Sequence, residues 1–206
     1  INLRADQPDA NKVIDLIISE EIPLASFAGA PTRAIIDQLK ERGILTMPTI
    51  GAPRHAVKMQ GWGVDAVIAQ GGEGGGHTGS IPTSLLLPSV CQAVDIPVLG
   101  AGGFCDGRGL VAALAYGADG IAMGTRFLLT QESQVPASVK EVYLQTGLRG
   151  TVVTRAIDGH PQRVIRTPLI QRLESVGPLQ ALLRSLRHAL SFRSQLGLSL
   201  SAFLRE

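Results

Sequence analysis

Short apolar runs that alternate with amphipathic helices constrain this chain more than any other feature. Pro8 and Asp9 precede the apolar positions Val13, Leu16 and Ile17, which recur at helical spacing. A β-like run follows at Pro23-Leu24-Ala25-Ser26-Phe27. Pro31 suits the first turn of the next helix, with Ile35, Ile36 and Leu39 inward and Gly43 as its C-cap. The same alternation predicts strands over 44–50, 64–69, 97–101 and 120–123, and helices opening at Pro53, over 86–94 and over 107–116. The strands are apolar on both faces, as a parallel sheet covered by helices requires.

Two α/β architectures satisfy that pattern, a doubly wound sheet and a (β/α)8 TIM barrel. Glycine-rich loops follow several strands rather than the first alone. That favours the barrel, where loops after many strands share one site at the C-terminal face. After Thr125 the pattern changes to short helices and a small extended pair near Val152 and Val164. No repeat beyond the βα alternation, low-complexity segment or linker marks a second independent domain.

Composition excludes several classes. With 45% hydrophobic and 17% charged residues, the chain reads as globular rather than disordered. A net charge of +2 carries no nucleic-acid signal. The apolar runs fall well short of the about 20 residues that span a bilayer, and residues 1–6 lack the make-up of a signal peptide. A cytoplasmic protein without nucleic-acid or membrane partners is expected, with a homo-oligomer left open. Charge is uneven: residues 1–148 carry 10 basic and 14 acidic side chains, residues 149–206 nine arginines and three acids. The basic tail reads either as a solvated helical surface or as a landing site for an anionic substrate handle such as a CoA phosphate, because arginine forks fit phosphate oxygens. Cys91 and Cys105 show neither metal-ligand nor disulfide spacing. His55, His160 and His188 have no partner at ligand spacing, so no metal is expected.

Three loops carry the candidate chemistry. Gln70-Gly71-Gly72-Glu73-Gly74-Gly75-Gly76-His77-Thr78-Gly79 directly follows a predicted buried strand. Its glycines let the backbone approach a ligand and aim N–H groups at it, and His77 inside it stands at that ligand rather than in a core. Ala101–Gly107 follows the next strand and Ala122–Phe127 the one after. In barrels, loops after the last two strands build a phosphate site from backbone N–H groups. Gly102, Gly103, Gly124 and Thr125 fit that role. Glu73 is a second acid in the first loop, with solvation or a backbone bond as the commoner fate, and Trp62 reads as packing.

These runs also carry a family resemblance. AQGGEGGGHTG resembles the flavin-and-histidine loop of the nitronate monooxygenase (2-nitropropane dioxygenase) family. GAGGFCDGRG and AMGTRFLLTQES resemble its two phosphate loops, and SFAGAP, GILTMPTI and GVDAVIAQ its middle strands. The resemblance covers about residues 1–135. It implies FMN as cofactor and oxidation of an alkyl nitronate by oxygen to a carbonyl compound and nitrite. By the same resemblance, Asn2 contacts the flavin, Gln70, Gly75 and Gly76 line its ring system, and Gly102, Gly103, Ala122, Met123, Gly124 and Thr125 hold its phosphate. His77 becomes the base or the substrate-orienting group, a role for which imidazole is suited near neutral pH. Gly74 stands where the family loop commonly has alanine, which would widen the substrate pocket. The chain also resembles flavin enoyl-thioester reductases and actinobacterial enzymes acting on CoA thioesters of steroid-ring fragments. The small-molecule substrate therefore stays open between a nitronate and an acyl-CoA. An inactive flavin-binding scaffold is opposed by a complete His77 loop beside two complete phosphate loops.

The resemblance makes residues 1–130 strands 3 to 8 of an FMN-binding barrel, and residues 131–206 a peripheral insertion with C-terminal helices packed on it. Six strands are counted where a closed barrel needs eight. The family's opening strand has no counterpart and the first residue is not Met. An open sheet is therefore expected, with the first two βα units present in a longer protein or supplied by a partner, the alternative being a shorter natural fold with a half-built flavin site.

Overall fold

A computed structural model describes residues 1–5 and 7–175. Arg184, Arg187, His188 and the C-terminal helical run expected around them lie outside the described residues. Five parallel βα units follow one another: β1 (Asn2–Leu3), α1 (Ala10–Ser19), β2 (Leu24–Phe27), α2 (Arg33–Lys40), β3 (Leu45–Ile50), α3 (Pro53–Gly61) and β4 (Val67–Gln70) open the chain. After a two-residue strand β5 (Gly76–His77) come α4 (Thr83–Cys91), β6 (Val98–Ala101), α5 (Gly107–Ala115) and β7 (Gly120–Ala122). All but β5 form one parallel sheet in the order β1-β2-β3-β4-β6-β7. Strand order never reverses, so crossovers of one hand put the connecting helices on one face. A doubly wound sheet would reverse its order and cover both faces. This sheet is a segment of barrel wall, with β1 and β7 at its edges.

Register separates the two faces. Leu3, Ala25, Phe27, Val67, Ala69 and Val98 pack beneath the helices against residues such as Ile14, Ile17, Leu39, Met59 and Leu87. Each Ile, Leu or Phe fully buried there contributes about 1.5–3 kcal/mol. The alternate positions Asn2, Ser26, Met47, Ile68, Gln70, Leu99, Ala101 and Ala122 share the helix-free face.

Two helix-to-strand turns use one device. Gly63 and Gly117 take φ of +79° and +93°, which glycine adopts without steric cost. Two residues on, Asp65 accepts the Thr46 N–H at 2.7 Å and the Thr46 hydroxyl at 3.1 Å, and Asp119 accepts the Val98 N–H at 2.9 Å. Each carboxylate thereby ties its strand to the start of the neighbouring one, at the end of the sheet away from the glycine loops.

Some boundaries differ from the sequence expectation. Helix α2 starts after Thr32, whose hydroxyl caps the Ile35 N–H at 3.4 Å, so Pro31 precedes the helix rather than joining its first turn. Helix α4 begins three residues before Leu86 and contains Pro88. Its start is stabilised by a residue ten positions upstream, which local periodicity does not register. Strand β4 is shifted to 67–70 because Val64 still belongs to the turn, its N–H bonded to Met59 O.

Beyond β7 the chain forms α6 (Thr125–Leu128), α7 (Ala137–Gln145), β8 (Thr151–Thr154), β9 (Gln162–Ile165) and α8 (Pro168–Glu174). Strands β8 and β9 make the extended pair expected near Val152 and Val164, and those two residues are register partners. Among the described residues, the basic stretch that starts at residue 149 is this hairpin over 151–165 and α8. The β-branched Thr151–Thr154 run and the Val164-Ile165 pair suit a strand better than a helix. No helix among the described residues is long and apolar enough to cross a membrane.

Candidate functional site

Gln70, Ala101 and Ala122 close β4, β6 and β7 and stand in one register row. The three loops singled out by sequence therefore leave the sheet side by side, at its C-terminal end. The first is bonded to the start of the second and folded on itself. Gly71 N–H donates to Ala101 O at 3.0 Å, Gly72 N–H to Ile81 O at 2.7 Å, and Gly74 N–H to Gly71 O at 3.0 Å.

The glycines fall into two kinds. A Cβ on Gly71 would overlap the backbone and hydroxyl of Thr83. One on Gly102 would lie 2.9 Å from Gly74 N and 3.1 Å from Gly71 O. One on Gly74 would lie 2.7–2.9 Å from the Gln70 side chain. Gly71 and Gly102 are glycine because neighbouring backbone meets them there, whereas at Gly74 the neighbour is the end of the Gln70 side chain, which can move. The room freed at Gly74 is filled by Gln70, so it does not widen a substrate pocket. Among the described residues, Gly75 has only Thr125 Oγ1 nearby, at 3.6 Å, Gly103 meets only Glu73, and nothing lies within 4 Å of a Cβ on Gly76 or Gly124. Within this second set, Gly76 is paired with Arg163 in the β5–β9 ladder.

Glu73 is a clamp. Its Oε2 accepts the Thr83 N–H at 2.9 Å and the Thr83 hydroxyl at 2.7 Å, at the N-terminus of α4, where the helix dipole favours an anion. The Thr83 hydroxyl also lies 3.1 Å from Gly102 O, so one residue joins two loops. Partial burial works to raise the Glu73 carboxyl, but the Thr83 bonds, its own backbone N–H and the Arg163 charge together hold it below the usual carboxylate range.

The hairpin is stitched to the first loop. Strand β9 pairs antiparallel with β5, Gly76 opposite Arg163 and His77 opposite Gln162, and Thr78 N–H donates to Pro161 O at 3.0 Å. Arg163 donates to Gly72 O from Nε at 3.0 Å and Nη2 at 2.9 Å, and from Nη1 to Thr151 Oγ1 at 3.0 Å. Sequence reasoning missed this arginine. Its one local signal is a charged residue inside the β-forming run Gln162-Arg163-Val164-Ile165.

His77 is half-exposed in this sheet. Its carbonyl accepts from Gln70 Nε2 at 2.8 Å, so the Gln70 amide braces the histidine backbone. Its Nε2 lies 2.7 Å from Asp158 Oδ2, and its ring meets His160 edge-on at 6.0 Å between centroids. The sequence reads His160 as a turn residue with no partner at metal-ligand spacing. Its contact here is with another ring, because the hairpin tip carries Asp158 and His160 across 81 and 83 residues to His77.

Asn2 stays apart from this group. It lies on β1, at the sheet edge opposite β7, and its amide donates to Ser26 Oγ at 2.9 Å. It shares only the helix-free face with Gln70 and Ala122. His55 is exposed on α3, and Trp62 packs on the core with the Lys58 ammonium 4.6 Å from its ring centre.

A barrel wall with three neighbouring glycine loops and a histidine in the first of them is the arrangement the sequence motifs imply. The model of the nitronate monooxygenase family matches residues 1–194, well beyond the stretch those motifs cover, and the chain belongs to that family. Its members are flavin-dependent oxidoreductases. The chain is 55% identical over 206 residues to (3aS,4S,5R,7aS)-5-hydroxy-7a-methyl-1-oxo-octahydro-1H-indene-4-carboxyl-CoA dehydrogenase of Rhodococcus jostii, covering 100% of this chain and 58% of that protein. It is 40% identical over 172 residues to a probable nitronate monooxygenase of Staphylococcus saprophyticus, covering 78% of this chain and 48% of that protein. The structure of FabK from Thermotoga maritima matches with a TM-score of 0.81 at 41% identity, over 91% of this chain and 62% of that one. The chain thus spans 58% of the Rhodococcus protein and 48% of the Staphylococcus protein.

Proposed function

We propose that the protein is an FMN-dependent oxidoreductase that dehydrogenates a hydroxylated bicyclic carboxyl-CoA thioester. The observation that carries this reading is 55% identity along the whole chain to a dehydrogenase named for such a substrate. Oxidation of an alkyl nitronate is the second reading, supported by 40% identity over 78% of the chain to a probable nitronate monooxygenase.

The loop geometry fits FMN. Gly75, Gly76, Gly103 and Gly124 have little or nothing where a Cβ would point, so a flat ring and a phosphate can lie against their backbone. The first turn of α6 adds N–H groups that have no intrahelical acceptor. In this reading Gln70, Gly75 and Gly76 line the ring system, Asn2 contacts it from β1, and Gly102, Gly103, Ala122, Met123, Gly124 and Thr125 hold the phosphate. Residues 1–130 then bear the cofactor, with the β8–β9 hairpin docked on them through β5. When bound, FMN supplies the two-electron acceptor. His77 takes up the proton that leaves the substrate as it is oxidised. The Arg163 and β5–β9 bonds keep the loop that carries His77 in place.

Anaerobic titration of the FMN-loaded protein with the acyl-CoA and with alkyl nitronates separates the readings. Bleaching of the flavin by the hydroxylated acyl-CoA is expected. Bleaching by nitronates alone transfers the assignment to the second reading, and bleaching by neither removes both. The His77→Gln variant is expected to retain flavin while turnover drops by about 10²–10⁴-fold.

A further inference from the structure

We propose that Asp158 is a positioning residue that holds the His77 ring with its proton on Nε2 and its lone pair on Nδ1, making Nδ1 the atom that takes the substrate proton. This rests on the reading of His77 as the acid–base group. The geometry carries it. The Nε2–Oδ2 separation of 2.7 Å is that of a charge-assisted hydrogen bond. Asp158 does not reach His77 on a free side chain. Its other oxygen, Oδ1, accepts the His160 N–H at 3.0 Å, and the turn beneath is closed by Gly159 N–H to Arg155 O at 3.0 Å, with Gly159 at φ +84°. The carboxylate is therefore aimed by its own turn, and the turn is delivered by the β5–β9 ladder and the Arg163 bonds to Gly72.

An ionised carboxylate only accepts. The backbone N–H of His160 is the largest influence keeping the Asp158 carboxyl well below the usual carboxylate range, followed by the Gln162 side chain and, against slight desolvation, His77 itself. Asp158 is thus anionic wherever imidazole changes charge, so the proton in the short contact belongs to the ring. In a neutral imidazole with Nε2–H, the lone pair sits on Nδ1. The same contact stabilises the imidazolium that forms when Nδ1 gains a proton, as an orienting carboxylate does in hydrolytic triads. The ring is confined further by His160 edge-on and by the Gln70 bond to the His77 carbonyl.

Asp158→Asn is the informative variant. Its side-chain oxygen can still accept the His160 N–H, so the turn survives, while its amide can donate to Nε2 and favour the wrong tautomer. The first readout is a long-range ¹H–¹⁵N correlation spectrum of histidine-labelled, FMN-loaded protein at a pH where the ring is neutral, with His77→Gln identifying the His77 signals. Wild type is expected to show the Nε2–H pattern, and Asp158→Asn a loss of it. The second readout is kinetic: kcat falls about 10–100-fold with KM unchanged, and Asp158→Glu recovers part of it. A wild-type tautomer pattern in Asp158→Asn, or an unchanged kcat while His77→Gln is inactive, overturns the inference and leaves the His77 reading standing. Full activity of His77→Gln overturns the His77 reading instead, and with it the catalytic part of this inference.

Discussion

Replacing Gly71 by alanine tests whether the glycine loop is shaped by packing rather than by flexibility. The added methyl would overlap the backbone N, Cα and hydroxyl of Thr83. Gly71 is buried, so the methyl has no route to solvent. Overpacking of this kind costs about 1–3 kcal/mol. Displacing Thr83 also weakens its two bonds to the Glu73 carboxylate, and bonds to charged groups are worth about 1.5–3 kcal/mol each. Glu73 is solvent-exposed, and screening reduces that second contribution to about 1 kcal/mol in all. The expected loss is about 3 kcal/mol. Two neighbours serve as controls. Gly76→Ala meets open space, but φ of +74° makes it cost about 1–2 kcal/mol. Gly79→Ala finds its nearest atom at 3.9 Å and should stay within about 0.5 kcal/mol. Urea unfolding followed by circular dichroism, in one buffer for all three, gives the ranking. A Gly71→Ala protein as stable as Gly79→Ala would refute the division of these glycines into packed and open positions.

Acid should act through Glu73. Its carboxyl is held below the usual range, so its stabilisation is complete above the ordinary value of about 4.3 and is lost as pH falls through the lower folded value. Glu73→Gln should therefore flatten the acid limb of a plot of urea midpoint against pH, and an unaltered limb would discount the clamp. Arg163→Ala removes three bonds between the hairpin, Gly72 and Thr151. Amide hydrogen exchange over residues 76–78 and 162–165 should accelerate while β3 and β4 keep their protection, and uniform exchange across both regions would contradict a local stitch.

The sequence by itself determined the parallel βα alternation, the six strands and the three loops at their ends. Each of those rests on local pattern: apolar periodicity, a Pro at the start of α3, a glycine with positive φ after α3 and after α5. Even the extended pair near Val152 and Val164 followed from two short β-forming runs, though only the structure makes those two residues register partners. Tertiary structure alone decided what the loops are made of. Local sequence cannot separate a glycine that must avoid Thr83 or Gly74 from one that faces open space, because both read as Gly. Glu73 reads as a solvated or backbone-bonded acid, and only the placement of α4 makes Thr83 its partner, while Arg163 reads as one charge in a basic tail until β9 lies against β5. His160 and Asp158 read as turn residues because their partner is about 80 positions away. Contacts closed over such loops depend on where the whole chain folds back, and only the hairpin's docking on the glycine loop puts a carboxylate beside the histidine.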